Sequence, residues 1–276
     1  NLVTPRNGQP LIAATQDFIT ASHLITNKDV FYDRAQFAQT CSMMSDAMLR
    51  MDLPHPTILK PHALWTGKQV INVLMKPTND SSVQVNLELK GRTFTKPTGA
   101  PEMCPVDGFL VIRNSQIMCG TLDKSSVGGD NKGSIFYVLM RDYGTDYAVT
   151  CMTRLAKLCA RWLGNRGFSI GIDDVQPDVR LRAEKEVLVE KGYEACDLVI
   201  DDFKAGRLQN QPGCTAEQTV EATISGILSR IRDDVGQICL QELSRHNAPL
   251  IMQWCGSKGS KINVSQMVAC VGQQII

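Results

Sequence analysis

The spacing of hydrophobic positions changes along the chain. From 83 to 89 every second residue is apolar, which predicts a strand with one buried face, because neighbouring side chains of a strand point to opposite sides. Apolar runs at 109–112 and 117–121 flank the polar sequence RNSQ and predict a hairpin. The segment 66–74 begins with a threonine before an apolar run, which predicts a short helix capped by that threonine. The segment 123–133, rich in Gly, Ser and Asp, is typical of a loop.

Farther along, the apolar positions follow the helical period. Apolar residues from 148 to 162 recur at alternating steps of four and three, so they lie on one face of a helix. The sequence GNRG at 164–167 predicts where that helix ends. Strands in the first part of the chain and helices in the second predict an α+β fold.

Two long helices are predicted between 178 and 242. The segment 189–203 carries an apolar stripe at Val189, Tyr193, Cys196, Ile200 and Phe203. The segment 220–238 carries a second stripe, and the turn sequence NQPGC separates the two. Thr215 and Gln218 have the spacing of a capping box for the second helix. Because a short connection joins the two helices, we expect a long antiparallel helical hairpin in which the stripes bury against each other.

Length and composition narrow the possible classes of protein. A chain of 276 residues with a hydrophobic share of 43% is expected to bury one large core or two smaller ones. Its 29 Lys and Arg nearly balance 28 Asp and Glu, so any affinity for phosphate must be local. The ten cysteines form no CxxC pair and the four histidines are scattered, which indicates reduced, mostly buried thiols rather than a zinc site.

The ends and the hydropathy of the chain lead to two further expectations. The chain begins with Asn1 and stops in the apolar sequence ACVGQQII, so we expect a piece of a larger polypeptide. It contains no apolar run of about 18 residues and no charged-then-apolar leader. We therefore expect a protein of the cell interior with no membrane partner.

The most distinctive local sequence is GSKGS at 256–260. Glycines let backbone N–H groups approach an anion, and Lys258 adds a compact positive charge, so a phosphate loop is one interpretation. The spacing differs from the nucleotide-hydrolase loop G-x-x-x-x-G-K-[ST]. A tight glycine turn before a buried helix is the other interpretation, and the residues alone favour it.

Acidic pairs and C-terminal glutamines are weaker signals. Adjacent aspartates such as Asp173 and Asp174 point about 100° apart on a helix and do not converge on a metal ion, so we interpret them as solvated surface. Gln266, Gln273 and Gln274 stand beside apolar residues. Since buried amides need partners, we expect them to face a cavity or to bond backbone groups across it.

Longer motifs carry a resemblance to a known family. The sequence from 256 resembles the GSKGS-x-x-N-x-x-QM-x-ACVGQQ signature of the largest subunit of multisubunit RNA polymerases. Further matching segments occur in the same order as in the family and together cover nearly the whole chain. Their sequences are most similar to the eukaryotic RNA polymerase III class. These segments are TPRNGQPLIAATQDF at 4–18, PTILKPHALWTGKQ at 56–69, NRGFSIGIDDV at 165–175 and QPGCTAEQT at 211–219.

The resemblance implies a domain organisation and an activity. Residues 1–166 would form the mixed helix and strand pore domain, and 167–276 the all-α funnel domain that ends just before the bridge helix. The whole enzyme would be a nuclear, DNA-directed RNA polymerase that makes small RNAs such as tRNA and 5S rRNA. The family holds its catalytic Mg²⁺ in an NADFDGD loop, which is not found in this sequence. The fragment is therefore expected to hold no metal and to be inactive alone.

The resemblance also implies partners and site residues. The partners would be other RNA polymerase III subunits, nucleoside triphosphates, the 3′ end of nascent RNA, DNA held by the whole enzyme, and a TFIIS-like cleavage subunit that docks on the helical hairpin. Lys258 would contact the triphosphate of the entering nucleotide. Arg232, Gln266, Gln273 and Gln274 would correspond to positions around the amatoxin pocket beside the bridge helix.

Two residues depart from the family pattern. Lys261 stands where the family generally has a bulky apolar residue, and Gln237 stands where polymerase II is often basic. Lys261 adds a positive charge, so the family's apolar packing at this position does not carry over. Gln237 is uncharged, so a phosphate-lining role for that helix face does not carry over either. Two alternatives remain: a protein-interaction module whose glycine turn is only structural, and a free-standing nucleotide hydrolase.

Overall fold

The computed structural model describes residues 2–44, 50–129, 131–272 and 274. The chain forms two compact units. The first extends to Phe168 and also includes Trp254–Lys258, while the second comprises Ser169–Gln253 and the residues from Gly259 onward. Helices predominate over two small sheets, so the predicted α+β class is confirmed.

The first unit combines short helices with two antiparallel sheets. β1 pairs with β2, and the second sheet has the order β3-β4-β5. The helices are α1 Gln16–Ile25, α2 Arg34–Ser42, α3 Gly67–Met75, α4 Lys124–Val127, α5 Ile135–Tyr143 and α6 Thr145–Arg166. The strands are β1 Phe31–Tyr32, β2 Trp65–Thr66, β3 Leu87–Lys90, β4 Phe109–Arg113 and β5 Gln116–Cys119, and a 3₁₀ turn covers Pro101–Met103.

Local signals place two of the first unit's helices as predicted. Thr66 caps α3 and forms a capping box with Gln69. α6 ends at Arg166, and the following Gly167 has φ 78°, a backbone conformation that glycine adopts without steric cost. The N-cap at Thr66 and the stop within GNRG are therefore confirmed.

The predicted hairpin is also confirmed, but the strand before it is shorter than predicted. Asn114 and Ser115 both have positive φ, 48° and 63°, as a tight two-residue hairpin turn requires. The ladder with β4 begins only at Leu87. Val83 and Val85 are buried as the alternation predicts, but the N–H of Val85 donates to the side chain of Ser115 instead of to a strand.

The prediction of a loop over 123–133 is wrong at its start, because four of these residues form α4. The carboxylate of Asp123 accepts hydrogen bonds from the N–H groups of Ser125 and Ser126 at 2.9 and 3.1 Å. This cap satisfies the first N–H groups of a helix too short to be stable on its own propensity.

The second unit is helical in the part that the structure describes. Its helices are α7 Ile172–Val175, α8 Val179–Lys204, α9 Ala216–Glu242, α10 Ala248–Cys255 and α11 Lys261–Val268, although the last two residues of α10 belong to the first unit. Arg180 at the start of α8 pairs with Glu242 at the end of α9, with 3.4 Å between Nη1 and Oε1. This confirms the antiparallel hairpin, whose second helix has the predicted capping box of Thr215 and Gln218.

The apolar stripe predicted for α8 is partly wrong. Tyr193 and Phe203 were expected to face α9, but they are 60% and 37% exposed. The buried residues of α8 are Leu181, Gly192 and Cys196, of which only Cys196 belongs to the predicted stripe. A Cβ on Gly192 would lie 2.1 Å from Cδ1 of Ile231. The two helices therefore pack closely at Gly192, which has no side chain, and the next residue, Tyr193, faces outward.

Seven of the ten cysteines are buried and three are half-buried, in line with the predicted thiol usage. No helix within the described ranges is both long and apolar enough to cross a lipid bilayer.

Candidate functional site

The GSKGS sequence forms a tight turn that leaves its lysine exposed. α10 ends at Cys255, and Gly256 and Gly259 both have φ 79°, a conformation that a side chain would strain. Lys258 lies between these glycines with its side chain in solvent. The turn interpretation describes the backbone correctly, and it leaves the ammonium group available to an anion.

The helix after the turn begins with its own cap. Ser260 accepts a hydrogen bond from the N–H of Asn263 at 3.3 Å, and Asn263 returns one from the N–H of Ser260 at 2.9 Å. This capping box places the N-cap of α11 two residues after Lys258. Lys261, the departure from the family pattern, is exposed at the first position of α11, so its charge is not buried. Gln237 on α9 is exposed as well.

Contacts within the first unit hold the turn on its N-terminal side. The hydroxyl of Thr20 donates to Oγ of Ser257 at 2.8 Å. Burial raises the pKa of the Cys255 thiol, so this group stays protonated and donates to Ser257 as well, at 3.3 Å. A Cβ added to Gly256 would lie 2.7 Å from Cδ of Arg92, so only glycine admits this arginine so close to the backbone.

A second group of predicted site residues lies in the second unit. Nε2 of Gln266 donates to the carbonyl oxygen of Val271 at 3.4 Å. The side chain of Arg232 packs on the neighbouring Gly272, where a Cβ would lie 2.8 Å from Cδ of the arginine. Nζ of Lys185 donates to the carbonyl oxygen of Ala269 at 3.5 Å. Side chains from α8, α9 and α11 thus contact the backbone of 269–272, which we call the C-terminal turn.

The structure brings together only some of the predicted residues. Arg232 and Gln266 both contact the C-terminal turn, where Gln266 bonds a backbone carbonyl five residues away. Arg232 also forms an ion pair of 3.0 Å with Asp233. Gln274 is exposed, and Gln273 lies outside the described residues. Lys258 belongs to the first unit.

One of the acidic residues has a structural role that the sequence pattern missed. Asp174 was expected to be solvated surface, but its carboxylate accepts hydrogen bonds from the N–H groups of Gly171 and Ala248 at 2.8 and 3.0 Å. It therefore caps α7 and, from 74 residues away, the start of α10. Sequence spacing could not identify this role because the second partner is distant along the chain.

Metal-ligating side chains do not cluster in the part of the chain that the structure describes. No group of three His, Cys, Asp or Glu residues there could hold an ion.

The outward face of α8 forms an open groove of about 570 Å³. Tyr193 lines this groove together with four carboxylates and a single lysine. The lining residues are Lys185, Glu186, Val189, Glu190, Tyr193, Glu194 and Asp197.

Comparisons with known protein families found matches in both units of the chain. A family model described as RNA polymerase Rpb1, domain 3, matches residues 1–175, and one described as RNA polymerase Rpb1, domain 4, matches residues 200–276. The chain belongs to the RNA polymerase Rpb1 family. The family resemblance drawn from the motifs is therefore confirmed.

Relatives within the family share the whole length of the chain. DNA-directed RNA polymerase III subunit RPC1 of Schizosaccharomyces pombe is 59% identical over 277 residues, the protein of that name in Debaryomyces hansenii is 57% identical over 278, and that in Homo sapiens is 50% identical over 279. Each alignment covers 100% of this chain but only 19% or 20% of the relative. The chain thus spans about a fifth of the length of the curated relatives it matches.

Proposed function

We propose that the chain is the pore and funnel part of an RNA polymerase III largest subunit, with the pore at 1–166 and the funnel at 167–276. The whole enzyme would be a nuclear nucleotidyltransferase that copies DNA into small RNAs such as tRNA and 5S rRNA. Identity of 50–59% to RPC1 subunits along the full chain supports this assignment. The bridge helix, the remaining subunits and the Mg²⁺ ligands would all lie outside this chain.

The observation that carries a role in the active centre is the exposed Lys258 on a turn of fixed geometry. An ammonium group is a compact cation that attracts phosphate oxygens without a fixed hydrogen-bond plane. Lys258 would contact the triphosphate of the nucleotide that enters through the pore, and it would lose part of its hydration as the triphosphate arrives. The 3′ end of a backtracked RNA would leave by the same route.

The test is single-nucleotide addition by the assembled polymerase carrying Lys258→Ala. Loss of one charge contact to phosphate is expected to raise the half-saturating nucleotide concentration by roughly tenfold. Lys261→Ala is the matched control, because it removes an exposed cation three residues away on α11 and should leave the concentration unchanged. If the Lys258→Ala polymerase had the kinetics of the unmodified enzyme, the proposed triphosphate contact would be wrong and the turn would have only a structural role.

A docking role for the helical hairpin rests on the groove of α8. The exposed Tyr193 ring and the surrounding carboxylates suit a partner with a basic and partly apolar surface, and we propose a TFIIS-like cleavage subunit. Replacing Tyr193 with Ser should weaken RNA cleavage by backtracked polymerase while elongation stays normal. Val179→Ser, at an 80% exposed apolar residue outside the groove, is the control. Intact cleavage in Tyr193→Ser would refute this docking site.

The residues at the C-terminal turn support a third proposal. Arg232 and Gln266, with Gln273 and Gln274, would couple the funnel to movement of the bridge helix, because the first two hold the turn that leads toward it. Gln266→Ala removes the amide that bonds Val271 and should change pausing during elongation. Pausing equal to that of the unmodified enzyme would exclude the coupling.

A further inference from the structure

The turn that carries Lys258 is anchored by a hydroxyl group that no sequence motif singles out. Thr20 lies on α1 with only 2% of its surface exposed. Its hydroxyl donates to Oγ of Ser257 at 2.8 Å, across 237 residues of sequence. Ser257 immediately precedes Lys258, so this bond fixes the backbone one residue before the proposed phosphate contact.

α1 is well suited to hold such an anchor in place. The side chains of Ile19 and Leu24 on either side of Thr20 are 2% and 3% exposed, and protein cores of this kind are closely packed. Oγ of Ser22 lies 3.5 Å from Sγ of Cys159 on α6. The hydroxyl of Thr20 is therefore held by a helix that is itself fixed to the core of the first unit.

A second contact restrains the residue before Ser257. The side chain of Arg92 lies over Gly256, and the backbone N–H of Arg92 donates to Oδ2 of Asp123 at 2.7 Å. Asp123 is 4% exposed and also caps α4. With Arg92 above Gly256 and Thr20 bonded to Ser257, two successive residues before Lys258 are both restrained.

We propose that Thr20 is a positioning residue for Lys258. It places the lysine backbone, through Ser257, where the ammonium group can meet the triphosphate. The inference rests on the proposed function of Lys258. An alternative role for Thr20, stabilisation of the fold alone, makes a different prediction: it would lower the amount of assembled enzyme without changing how the assembled enzyme responds to nucleotide.

The experiment uses assembled polymerase in which the complete largest subunit carries the substitution. Thr20→Val removes the hydroxyl at nearly constant volume, and Thr20→Ser retains it. Thr40→Val is the matched control, because Thr40 is a buried helical threonine, 4% exposed, whose hydroxyl bonds only Gln36 of its own helix among the contacts found for it. Half-saturating nucleotide concentration and maximal rate of single-nucleotide addition are measured for each.

We expect Thr20→Val to raise the half-saturating concentration by roughly two- to tenfold, the range that corresponds to loss of one hydrogen bond. The maximal rate at saturating nucleotide should change less. Thr20→Ser should restore the wild-type concentration, and Thr40→Val should leave it unaltered. The inference would be overturned if the Thr20→Val polymerase had the half-saturating nucleotide concentration of the unmodified enzyme while Lys258→Ala raised it. The proposed function of Lys258 would then remain intact.

A double-mutant cycle separates action through Lys258 from action elsewhere. In polymerase that already carries Lys258→Ala, adding Thr20→Val should have no further effect on the half-saturating concentration. An equal fold-change with and without Lys258 would overturn the inference, because Thr20 would then act by another route. If Lys258→Ala alone had no effect, the proposed nucleotide contact would fail first, and the positioning role would fail with it.

Discussion

The carboxylate of Asp123 accepts a hydrogen bond of 2.7 Å from the backbone N–H of Arg92. Because the same carboxylate caps α4, one buried side chain joins the loop after β3 to the helix after β5. The same hydrogen bond also fixes the backbone of Arg92, whose side chain lies over Gly256. The stability of the first unit and the geometry of the GSKGS turn thus depend on a common group.

Asp123→Ala should therefore be strongly destabilising. It leaves three backbone N–H groups without their acceptor, and we expect the free energy of unfolding to fall by about 2–4 kcal/mol. Urea denaturation of the chain, followed by circular dichroism, measures this difference. Asp33→Ala is the control, since Asp33 is an exposed cap that accepts from one N–H, that of Gln36, and should cost about 1 kcal/mol. Equal losses in the two variants would contradict the account of Asp123.

Gly120 and Gly144 provide a matched pair for separating backbone strain from steric overlap. Both have positive φ, 93° and 88°. A Cβ at Gly120 would lie 2.4 Å from Cα of Leu110, whereas a Cβ at Gly144 would meet nothing within 4 Å. Gly144 also has ψ 167°, a region that is essentially restricted to glycine, so Gly144→Ala should cost about 1–3 kcal/mol from strain alone.

Gly120→Ala should cost more than about 3 kcal/mol in the same denaturation experiment, because it adds overlap with backbone atoms that cannot move aside. The N–H of Gly120 also donates to Asp107 at 2.7 Å, so a shift of the backbone would break a hydrogen bond as well. Similar losses at the two glycines would show that the chain near Leu110 relaxes around the added methyl group.

Local rules predicted most of the elements but not where they meet. Apolar periodicity and caps correctly gave α3, α6 and the pair α8 and α9, because their signals lie within one or two turns of sequence. The facing stripe of α8 was misplaced by one position at Tyr193, since contact with α9 is set by the absence of a side chain at Gly192. α4 was missed although its cap, Asp123, acts locally on Ser125 and Ser126, because a four-residue helix followed by two glycines shows no apolar period.

The same limit applies to the candidate site. The tight turn around Lys258 can be predicted from the glycines on either side of it, because both signals lie within five residues. The contacts of Ser257 with Thr20 and of Asp174 with Ala248 join residues 237 and 74 positions apart. No local pattern marks either partner, so the groups that position the site become visible only in the folded chain.

The cysteines should differ widely in reactivity. Burial raises the pKa of Cys41 to about 12 and those of Cys151, Cys159 and Cys239 to about 11. At pH 8 each of these has at most about one thiolate in a thousand molecules. Alkylation of the native chain, followed by mass spectrometry, should leave these four largely unmodified.

Two half-buried cysteines serve as the internal comparison for that experiment. Cys214 and Cys270 should be alkylated first, and all ten cysteines should react in denaturant. Because burial raises the pKa of the protected thiols, their labelling in the native chain should require opening of the fold. Labelling of Cys41 as fast as Cys214 would contradict the burial of Cys41 on the inner face of α2.

His23 should make the stability of the first unit depend on pH. Burial lowers the pKa of its ring below the usual 6.5, an effect larger than the opposing influences of the Leu122 carbonyl, at 3.1 Å from Nδ1, and of the Asp123 and Asp107 carboxylates. Below pH 6.5 the unfolded chain therefore takes up a proton that the folded chain resists. Stability is fully present above that pH and is lost as the pH falls toward the folded-state value.

Urea denaturation between pH 7.5 and about 5 tests this linkage. The free energy of unfolding should fall with pH in the unmodified chain and fall less steeply in His23→Asn, which removes the titrating ring but keeps a donor for the Leu122 carbonyl. His246→Asn, at an exposed histidine, should retain the unmodified slope. Comparing slopes rather than absolute values cancels the constant cost of the smaller side chain. A slope in His23→Asn equal to that of the unmodified chain would assign the pH dependence to carboxylates instead.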